Sequence, residues 1–285
     1  MLPLELTLRE RSQFFLLLLP LSLGNINNGQ SNVLLVGLLL SGVAAALVER
    51  WNVAAGCLAA ASFFKVYPLA VGLLLVLSFP RRLAIRLAAA FGIVAAFPFL
   101  TQARGYVASQ YYEWASRLLT EPRYGRMEPL YSDIRLLFRA WFTPLTPGAY
   151  LLLQVSSAVG IALVCRFARR DARPERMALS VMLGLACCWM TVFGLSAESA
   201  TYIFLAPIVG GALIESRMRH HAFWVQGILW CSYGLLVLRE ASGVSANLGR
   251  RVGALAPQPI AGLLLFAALL AIGFQTGRGP LSREN

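Results

Sequence analysis

Amide side chains crowd one short stretch between two strongly apolar runs. The stretch reads GNINNGQSN and covers residues 24–32. Because each carboxamide both donates and accepts hydrogen bonds, it gathers many polar atoms at the edge of a segment that otherwise resembles hydrocarbon. Two interpretations fit: a polar turn between two membrane helices, or the lining of a place where a polar molecule is handled at a membrane surface. The amides are Asn25, Asn27, Asn28, Gln30 and Asn32.

Charged residues supply the other candidates for chemistry. Lys65 is the only lysine among the 25 basic residues, and it interrupts an apolar run. Glu198 is the only acid in the short turn SAESA, while Asp133 and Glu113 accompany helical segments earlier in the chain. A structural explanation is available for each. A lysine can snorkel to a helix end, a carboxylate at a helix N-terminus is stabilised by the helix dipole, and loop acids are commonly solvated.

The composition is that of an integral membrane protein. Hydrophobic residues make up 58% of the 285 residues and charged residues 13%, against about 25% charged in a typical soluble domain. The arginines behind the net charge of +12 mostly stand at the ends of apolar runs, as membrane orientation signals do. This distribution argues against nucleic acid as a partner. The sequence has no CxxC pair or Cys/His cluster that would indicate a zinc site.

Ten apolar runs predict an all-α, polytopic membrane protein with about ten transmembrane or half-spanning helices. We expect them to form a single integral membrane domain that covers residues 1–285. The runs are 13–23, 31–48, 53–64, 67–79, 83–100, 147–165, 177–194, 200–214, 222–238 and 257–274.

The segment 53–79 could be one long helix or two short helices that fold back at Lys65–Pro68. A lysine at the centre of a membrane costs about 2.5–3.5 kcal/mol, and proline disfavours helical geometry in the residue before it. Both effects favour a break. The break also places most of the arginines on the cytoplasmic side, as the positive-inside rule prefers. The amide stretch, Lys65, the loop 101–146 and the SAESA turn are then all predicted on the external face.

The external loop 101–146 is predicted to hold two interfacial helices. Each has apolar residues at helical spacing beside polar ones, and aromatic-rich helices of this kind tend to lie in the membrane interface. Ser132 is the expected N-cap of the second helix. The apolar stripes are Val107, Tyr111, Trp114 and Leu118 in the first helix, and Ile134, Leu137, Phe138 and Trp141 in the second.

Four segments carry a resemblance to a known family. GNINNGQSNVLLVGLLLSG, followed by AAGCLAAASFFKVYPLAVGLLLVLSFPRR, resembles the pattern of glycosyltransferase family 87: a G-Q-x-N segment, a helix, and a small-residue helix that ends in K-x-x-P and a basic stop. SAESATYIFLAP is similar to a later family segment, with Ala197 where proline is usual. YSDIRLLFRAWF is similar to a less specific stretch. The resemblance covers roughly residues 20–215.

The resemblance implies a GT-C-like helical bundle in the plasma membrane. Its expected activity is transfer of a hexose, with mannose the first candidate, from a polyprenyl-phosphate carrier to a glycan or glycolipid acceptor on the extracytoplasmic side. The lipid-linked donor is a substrate, and no cofactor is implied. The expected substrate-binding residues are Asn25, Asn28, Gln30, Asn32, Lys65 and Tyr67. The expected catalytic carboxylates are Glu198 and Asp133.

The same resemblance implies a catalytic acid in the first external loop, after the first span. Here the first apolar run leads directly into the amide stretch, so this acid is expected to be missing and the chain could be an incomplete copy. Two other classes of function stay open. A lipid or sugar transporter would have broken helices at the membrane midplane, and a non-catalytic cell-envelope assembly protein would need no acid.

Overall fold

The computed structural model of the chain describes residues 6–120, 131–170, 175–194 and 197–275. Within these ranges the regular structure is helical, apart from one isolated antiparallel bridge between Tyr131 and Glu198. The all-α prediction is therefore confirmed. Each of the ten apolar runs coincides with a helix or a pair of consecutive helices.

The helices fall into two groups along the chain, one before residue 121 and one after residue 130. The first group is α1 (Leu8–Asn27), α2 (Asn32–Leu47), α3 (Trp51–Phe64), α4 (Leu69–Ser78), α5 (Pro80–Ala96), α6 (Pro98–Thr101) and α7 (Arg104–Thr120). The second group is α8 (Ile134–Trp141), α9 (Pro147–Arg170), α10 (Glu175–Cys188), a π-helix (Trp189–Phe193), a 3₁₀ helix (Ser199–Leu205), α11 (Ala206–Met218), α12 (Phe223–Ser242), α13 (Ala246–Ala254) and α14 (Pro257–Gln275).

Of the about ten transmembrane or half-spanning helices predicted, only some are long and apolar enough to be full spans. In the described residues, three helical stretches are long and apolar enough to cross a membrane, Pro80–Thr101, Pro147–Phe167 and Ser199–Met218. A fourth is counted if α13 and α14, bent by 49° at their junction, form one span. The shorter apolar helices explain the difference. At 1.5 Å per residue, α2, α3 and α4 rise only about 15–24 Å, less than the roughly 30 Å of a hydrocarbon core.

The predicted break at Lys65–Pro68 is confirmed. Helix α3 ends at Phe64, and Lys65 adopts an extended conformation with φ −148° and ψ 140°. Helical geometry resumes at Leu69, with Pro68 as the N-cap of α4. The lone lysine therefore lies in a break between two apolar helices.

The chain divides into two compact units, with one boundary inside α2 and the other between Pro129 and Leu130. The first unit comprises Met1–Gly37 and Leu130–Asn285, and the second comprises Leu38–Pro129. In the second unit α3 packs along α5. The buried residues of α3 include Ala54, Ala55 and Ala59. Small side chains of this kind let two membrane helices approach closely.

In the first unit, α1 packs against α11 and α12, and α12 packs against α14. Gly210 of α11 allows the contact between α1 and α11, because a β-carbon there would lie 3.1 Å from Leu18 Cδ1. Gly262 of α14 similarly faces the π-helix, where a β-carbon would lie 2.3 Å from Val192 Cγ2. The C-terminal end of α1 also contacts the 3₁₀ helix.

Both predicted helices of the loop 101–146 are present as α7 and α8, while residues 121–130 between them lie outside the described part. In α7, Val107 is buried, Trp114 is exposed and the Tyr111 hydroxyl donates to Ala95 O at 2.8 Å. The side chain of Leu118 is outside the described residues.

The N-cap of α8 is Asp133. The sequence had suggested Ser132, and that prediction is wrong. The Asp133 carboxylate accepts from the backbone N–H of Arg135 at 2.9 Å. Asp133 takes the capping position because the Ser132 backbone is engaged with the segment before the 3₁₀ helix, where its N–H donates to Ala197 O at 2.7 Å. On α8, Ile134 is buried, and the exposed Trp141 donates through Nε1 to Leu255 O at 3.0 Å.

Candidate functional site

The amide stretch joins α1 to α2 and ties both helices to the start of the 3₁₀ helix. Asn25 Nδ2 donates to Ala200 O at 2.9 Å, and Asn32 Nδ2 donates to the same carbonyl at 3.1 Å. Asn32 Nδ2 also lies 3.0 Å from Asn25 Oδ1 and 3.1 Å from Gln30 Oε1. Asn25 is 1% exposed and Asn32 0%. These two predicted substrate ligands therefore use their amides inside the protein, where they hold the turn together.

Solvent reaches three of the predicted site residues at this turn: the substrate ligands Asn28 and Gln30 and the catalytic acid Glu198. Asn28 and Glu198 are exposed and Gln30 is half-buried. Gln30 Nε2 lies 3.5 Å from Glu198 Oε2, at the long limit of a hydrogen bond. An amide and a carboxylate this close together can bind neighbouring hydroxyls of one sugar, because the carboxylate only accepts hydrogen bonds and the amide does both.

The backbone around Glu198 is fixed from two sides. Glu198 pairs with Tyr131 in the isolated bridge, and its carbonyl accepts from Thr201 N at 2.9 Å. The Tyr202 hydroxyl donates to Ser132 O at 2.7 Å. Leu195 and Ser196, which precede Ala197 in the sequence, lie outside the described residues. The predicted acid is thus presented at the surface by a well-anchored segment.

Ser199, the next residue, is anchored by α14. Gln258 is buried, and its Nε2 donates to Ser199 O at 3.0 Å and to Ser199 Oγ at 2.9 Å. Since the serine oxygen accepts from Gln258, its own hydroxyl hydrogen is available to another partner.

Asp133, the second predicted catalytic acid, is 0% exposed. Its carboxylate accepts from Arg135 Nε at 3.0 and 3.1 Å and from Arg135 Nη2 at 2.6 Å. The Arg135 guanidinium also lies 4.8 Å from the ring centroid of Tyr150. Burial acts to lower the pKa of Arg135, but the Asp133 carboxylate outweighs it and the pKa is raised. A buried acid held in this way positions α8 and has no open oxygen for a substrate.

Lys65 and Tyr67 belong to the second unit, at the break between α3 and α4. Both are half-buried. Lys65 Nζ lies 5.8 Å from the ring centroid of Tyr67, within the range of a cation–π contact. The lysine therefore holds its charge over an aromatic ring at the end of an apolar helix.

A cleft of about 700 Å³ opens in the first unit beside the amide turn. This volume is within the usual range of small-molecule sites, about 300–1,000 Å³. The C-terminal part of α1 and the end of α12 both line it, and the start of the 3₁₀ helix contributes Ser199 and Ala200. Asn27 and Asn28 of the amide stretch line it, whereas Glu198 is not among its lining residues.

Glu240 is a second accessible acid, which the sequence analysis missed. It lines the cleft from α12, and its carboxylate lies against Gly24 of α1. Burial raises the pKa of Glu240, while Arg239 and the Gly24 backbone act to lower it. The one available signal was its position, directly after Arg239 at the end of the apolar run 222–238.

Replacing Asn32 by alanine is expected to lower the free energy of unfolding by about 1–3 kcal/mol, because oxygen atoms of Asn25 and Gln30 lose a buried donor. Asn28→Ala, at an exposed position, is the control and should change the free energy of unfolding by no more than about 0.5 kcal/mol. Denaturant-induced unfolding of the purified protein in mixed micelles measures both values. Equal effects would contradict a stabilising role for the buried amides.

Several apolar helices long enough to cross a bilayer, in a chain whose described residues are helical, define a multi-pass, all-α membrane protein. The chain belongs to glycosyltransferase family 87, whose family model matches residues 6–193 of the 285. It is accordingly a membrane glycosyltransferase by family. No functionally curated protein and no solved structure matches the chain.

The family match divides the candidate residues. It includes the amide stretch, the break at Lys65–Pro68 and the buried Asp133. It ends before Glu198, Ser199 and Glu240. The carboxylates that solvent can reach at the amide turn and in the cleft therefore come from the part of the chain beyond the matched residues.

Proposed function

We propose that this chain transfers a hexose, with mannose as the first candidate, from a polyprenyl-phosphate carrier to a lipid or glycan acceptor. We place the reaction at the extracytoplasmic face of the plasma membrane. The family match over residues 6–193 carries the proposal, because it covers both the amide stretch and the lysine at the helix break. The arginine distribution supports the choice of face.

In the proposed reaction the sugar arrives already activated on its phosphate. The oxygen of an acceptor hydroxyl forms a bond to the anomeric carbon while the bond from that carbon to the phosphate oxygen breaks. The bonding electrons leave with the polyprenyl phosphate, the hydroxyl proton passes to a carboxylate, and the anomeric configuration inverts. The protein must therefore supply a base, and cationic or hydrogen-bonding groups for the leaving phosphate.

Lys65 is proposed as the phosphate contact. A lysine ammonium is a compact point charge that suits a phosphate, and Tyr67 beside it offers a hydroxyl. The position at the end of an apolar helix also suits a ligand whose phosphate continues into a long prenyl chain.

Glu198 is proposed as the base, with Gln30 and Asn28 as ligands for sugar hydroxyls. Glu198 is exposed and lies 3.5 Å from the Gln30 amide, so it can meet a hydroxyl that Gln30 orients. Asp133 is not carried into this proposal, since both its oxygens accept from Arg135 inside the protein.

Transfer can be tested with the purified chain in liposomes that contain a polyprenyl-phosphate hexose with a radiolabelled sugar and a lipid extract as acceptor source. The expected result is a labelled product that no longer co-migrates with the donor. A donor that persists unchanged in the presence of acceptor, while a longer member of the family consumes it, would overturn the proposal.

Lys65→Met is expected to slow transfer by about 100-fold, the cost of removing one group that stabilises developing charge. Lys65→Arg should keep most of the rate, because it retains the cation. Arg86→Met removes an exposed cation that donates to Asn52 Oδ1 at 3.0 Å and serves as the matched control. Initial rates at saturating donor measure all three, and a rate for Lys65→Met equal to that of Arg86→Met would exclude the phosphate contact.

A second candidate function is transport of a lipid or sugar. Broken helices are typical of transporters, and this chain has an interruption at Lys65–Pro68 and a 49° bend between α13 and α14. A transporter would expose these positions alternately to both sides of the membrane. Cysteine labelling around position 65 should then succeed from both sides, whereas a transferase predicts labelling from the outside alone.

A further inference from the structure

The cleft beside the amide turn contains an acid that the proposed reaction does not yet use. We propose that this cleft binds a neutral carbohydrate head group with an attached alkyl chain, and that Glu240 accepts hydrogen bonds from its hydroxyls. The inference rests on the proposed function, in which such a molecule is the acceptor of the transferred sugar.

The carboxylate of Glu240 lies so close to Gly24 of α1 that a larger residue there would displace it. A β-carbon on Gly24 would lie 2.3 Å from Glu240 Oε2, well inside van der Waals contact. A carboxylate offers about four lone-pair sites on its two oxygens, and its approach to the backbone of one helix leaves most of them unused. The remaining capacity is available at the cleft, which Glu240 lines.

The polar groups around Glu240 select for hydroxyls. A carboxylate accepts hydrogen bonds and repels anions, so it favours a ligand that donates. Ser199 and Asn28 add a hydroxyl and a carboxamide, and the Ser199 oxygen already accepts from Gln258, which directs its hydrogen elsewhere. Arg239 lines the same wall, and its buried Nε has no hydrogen-bond partner among the described residues. A molecule with several hydroxyls can satisfy both donors and acceptors of this set.

The apolar border of the cleft indicates an alkyl chain. Leu23 and Ile26 of α1 are 56% and 63% exposed, and Val244 after α12 is 93% exposed. In a membrane protein, exposed apolar side chains at the border of a polar cleft suit a ligand with a polar head and a hydrocarbon tail. A sugar without an alkyl chain would make only the polar contacts of the cleft.

Direct binding to the full chain tests the site without any donor. The protein is purified in a polyoxyethylene detergent, reconstituted in nanodiscs and titrated with octyl mannoside, methyl mannoside and octyl phosphate. Octyl mannoside is expected to bind at least about tenfold more tightly than either of the others, because each of them lacks one of two recognised features. Tighter binding of octyl phosphate would overturn the choice of a neutral head group. Equal binding of methyl mannoside would overturn the role of the chain.

Two variants connect the binding to the geometry. Glu240→Gln removes the charged acceptor and should weaken octyl mannoside binding by about tenfold or more, the usual value of a hydrogen bond to a charged group. Gly24→Ala should have a comparable effect by displacing the carboxylate. Glu215→Gln, an acid paired with Arg219 at 2.9 Å, and Gly234→Ala, a helical glycine with open space around its β-carbon position, are the matched controls.

The outcomes separate this inference from the proposed function. If Glu240→Gln and Gly24→Ala bind octyl mannoside as the two controls do, the site is wrong even where transfer is observed. If the wild type binds the glycoside through Glu240 but transfers no sugar, the proposed function fails and the site stands. In an active preparation, Glu240→Gln should raise the KM for acceptor with little change in kcat.

Discussion

Replacing Asp133 by alanine is expected to destabilise the protein by about 3–5 kcal/mol, the usual cost of leaving one member of a buried ion pair without its partner. Arg135 is 4% exposed, so its guanidinium could not regain full hydration in the folded state. The substitution also removes the N-cap of α8, which is anchored to the first unit through Trp141.

An exposed ion pair supplies the comparison. Glu49 and Arg82 form a contact with side chains 65% and 49% exposed, and Glu49→Ala should cost no more than about 1 kcal/mol. The double variant Asp133→Ala, Arg135→Met should recover much of the lost stability, because it removes the unpaired charge as well. Unfolding in mixed micelles measures all three. An Asp133→Ala value as small as that of Glu49→Ala would contradict a structural role for the pair.

Replacing Glu198 by glutamine is expected to reduce kcat for transfer by about 10²–10⁴-fold, the range for loss of a general base. Glutamine keeps the size of the side chain and its contact with Gln30, so the substitution removes mainly the ability to accept a proton. Unfolding stability should stay close to that of the wild type, because Glu198 is exposed.

The matched control for Glu198 is Glu113→Gln on α7, another exposed acid. Its rate should equal that of the wild type within about twofold, as expected for a surface substitution. The two acids near the turn are also separable, since Glu198→Gln should lower kcat and Glu240→Gln should raise the KM for acceptor. A Glu198→Gln variant with the wild-type kcat would remove Glu198 as the base.

Helices and their interruption could be predicted from the sequence because both depend on neighbouring residues. The apolar runs predicted the positions of the helices. Lys65 and Pro68, within four positions of each other, predicted the break after Phe64. The number of spans could not be predicted in the same way. Run length alone does not decide whether a helix of 10–16 residues, such as α2 or α4, crosses a bilayer.

The site depended on contacts between distant parts of the chain. Asn25 and Ala200 are 175 residues apart in sequence, so nothing local indicated that this amide would be buried while Asn28 stays exposed. Asp133 had the local features of a solvated acid, but the packing of α8 buried it with Arg135. The interpretation of the amide stretch as a turn with satisfied amides thus holds for Asn25 and Asn32, and the ligand role stays a prediction for Asn28 and Gln30.

Glu240 is a site residue that the sequence could not indicate. Its partner Gly24 lies at the opposite end of the chain, and the importance of that glycine follows from the 2.3 Å approach of the carboxylate, which no sequence pattern contains. The close packing of α1 on α12 creates this approach, with the Tyr233 hydroxyl donating to Leu17 O at 3.1 Å.

Transfer and transport differ in the fate of the two halves of the donor. A polyprenyl-phosphate hexose that carries one radioisotope in the sugar and another in the prenyl chain can be added to sealed proteoliposomes that contain acceptor. A glycosyltransferase must separate the two isotopes, leaving the prenyl label in free polyprenyl phosphate and the sugar label in a new product. Two labels that stay together in one molecule, on either side of the membrane, would contradict the enzyme.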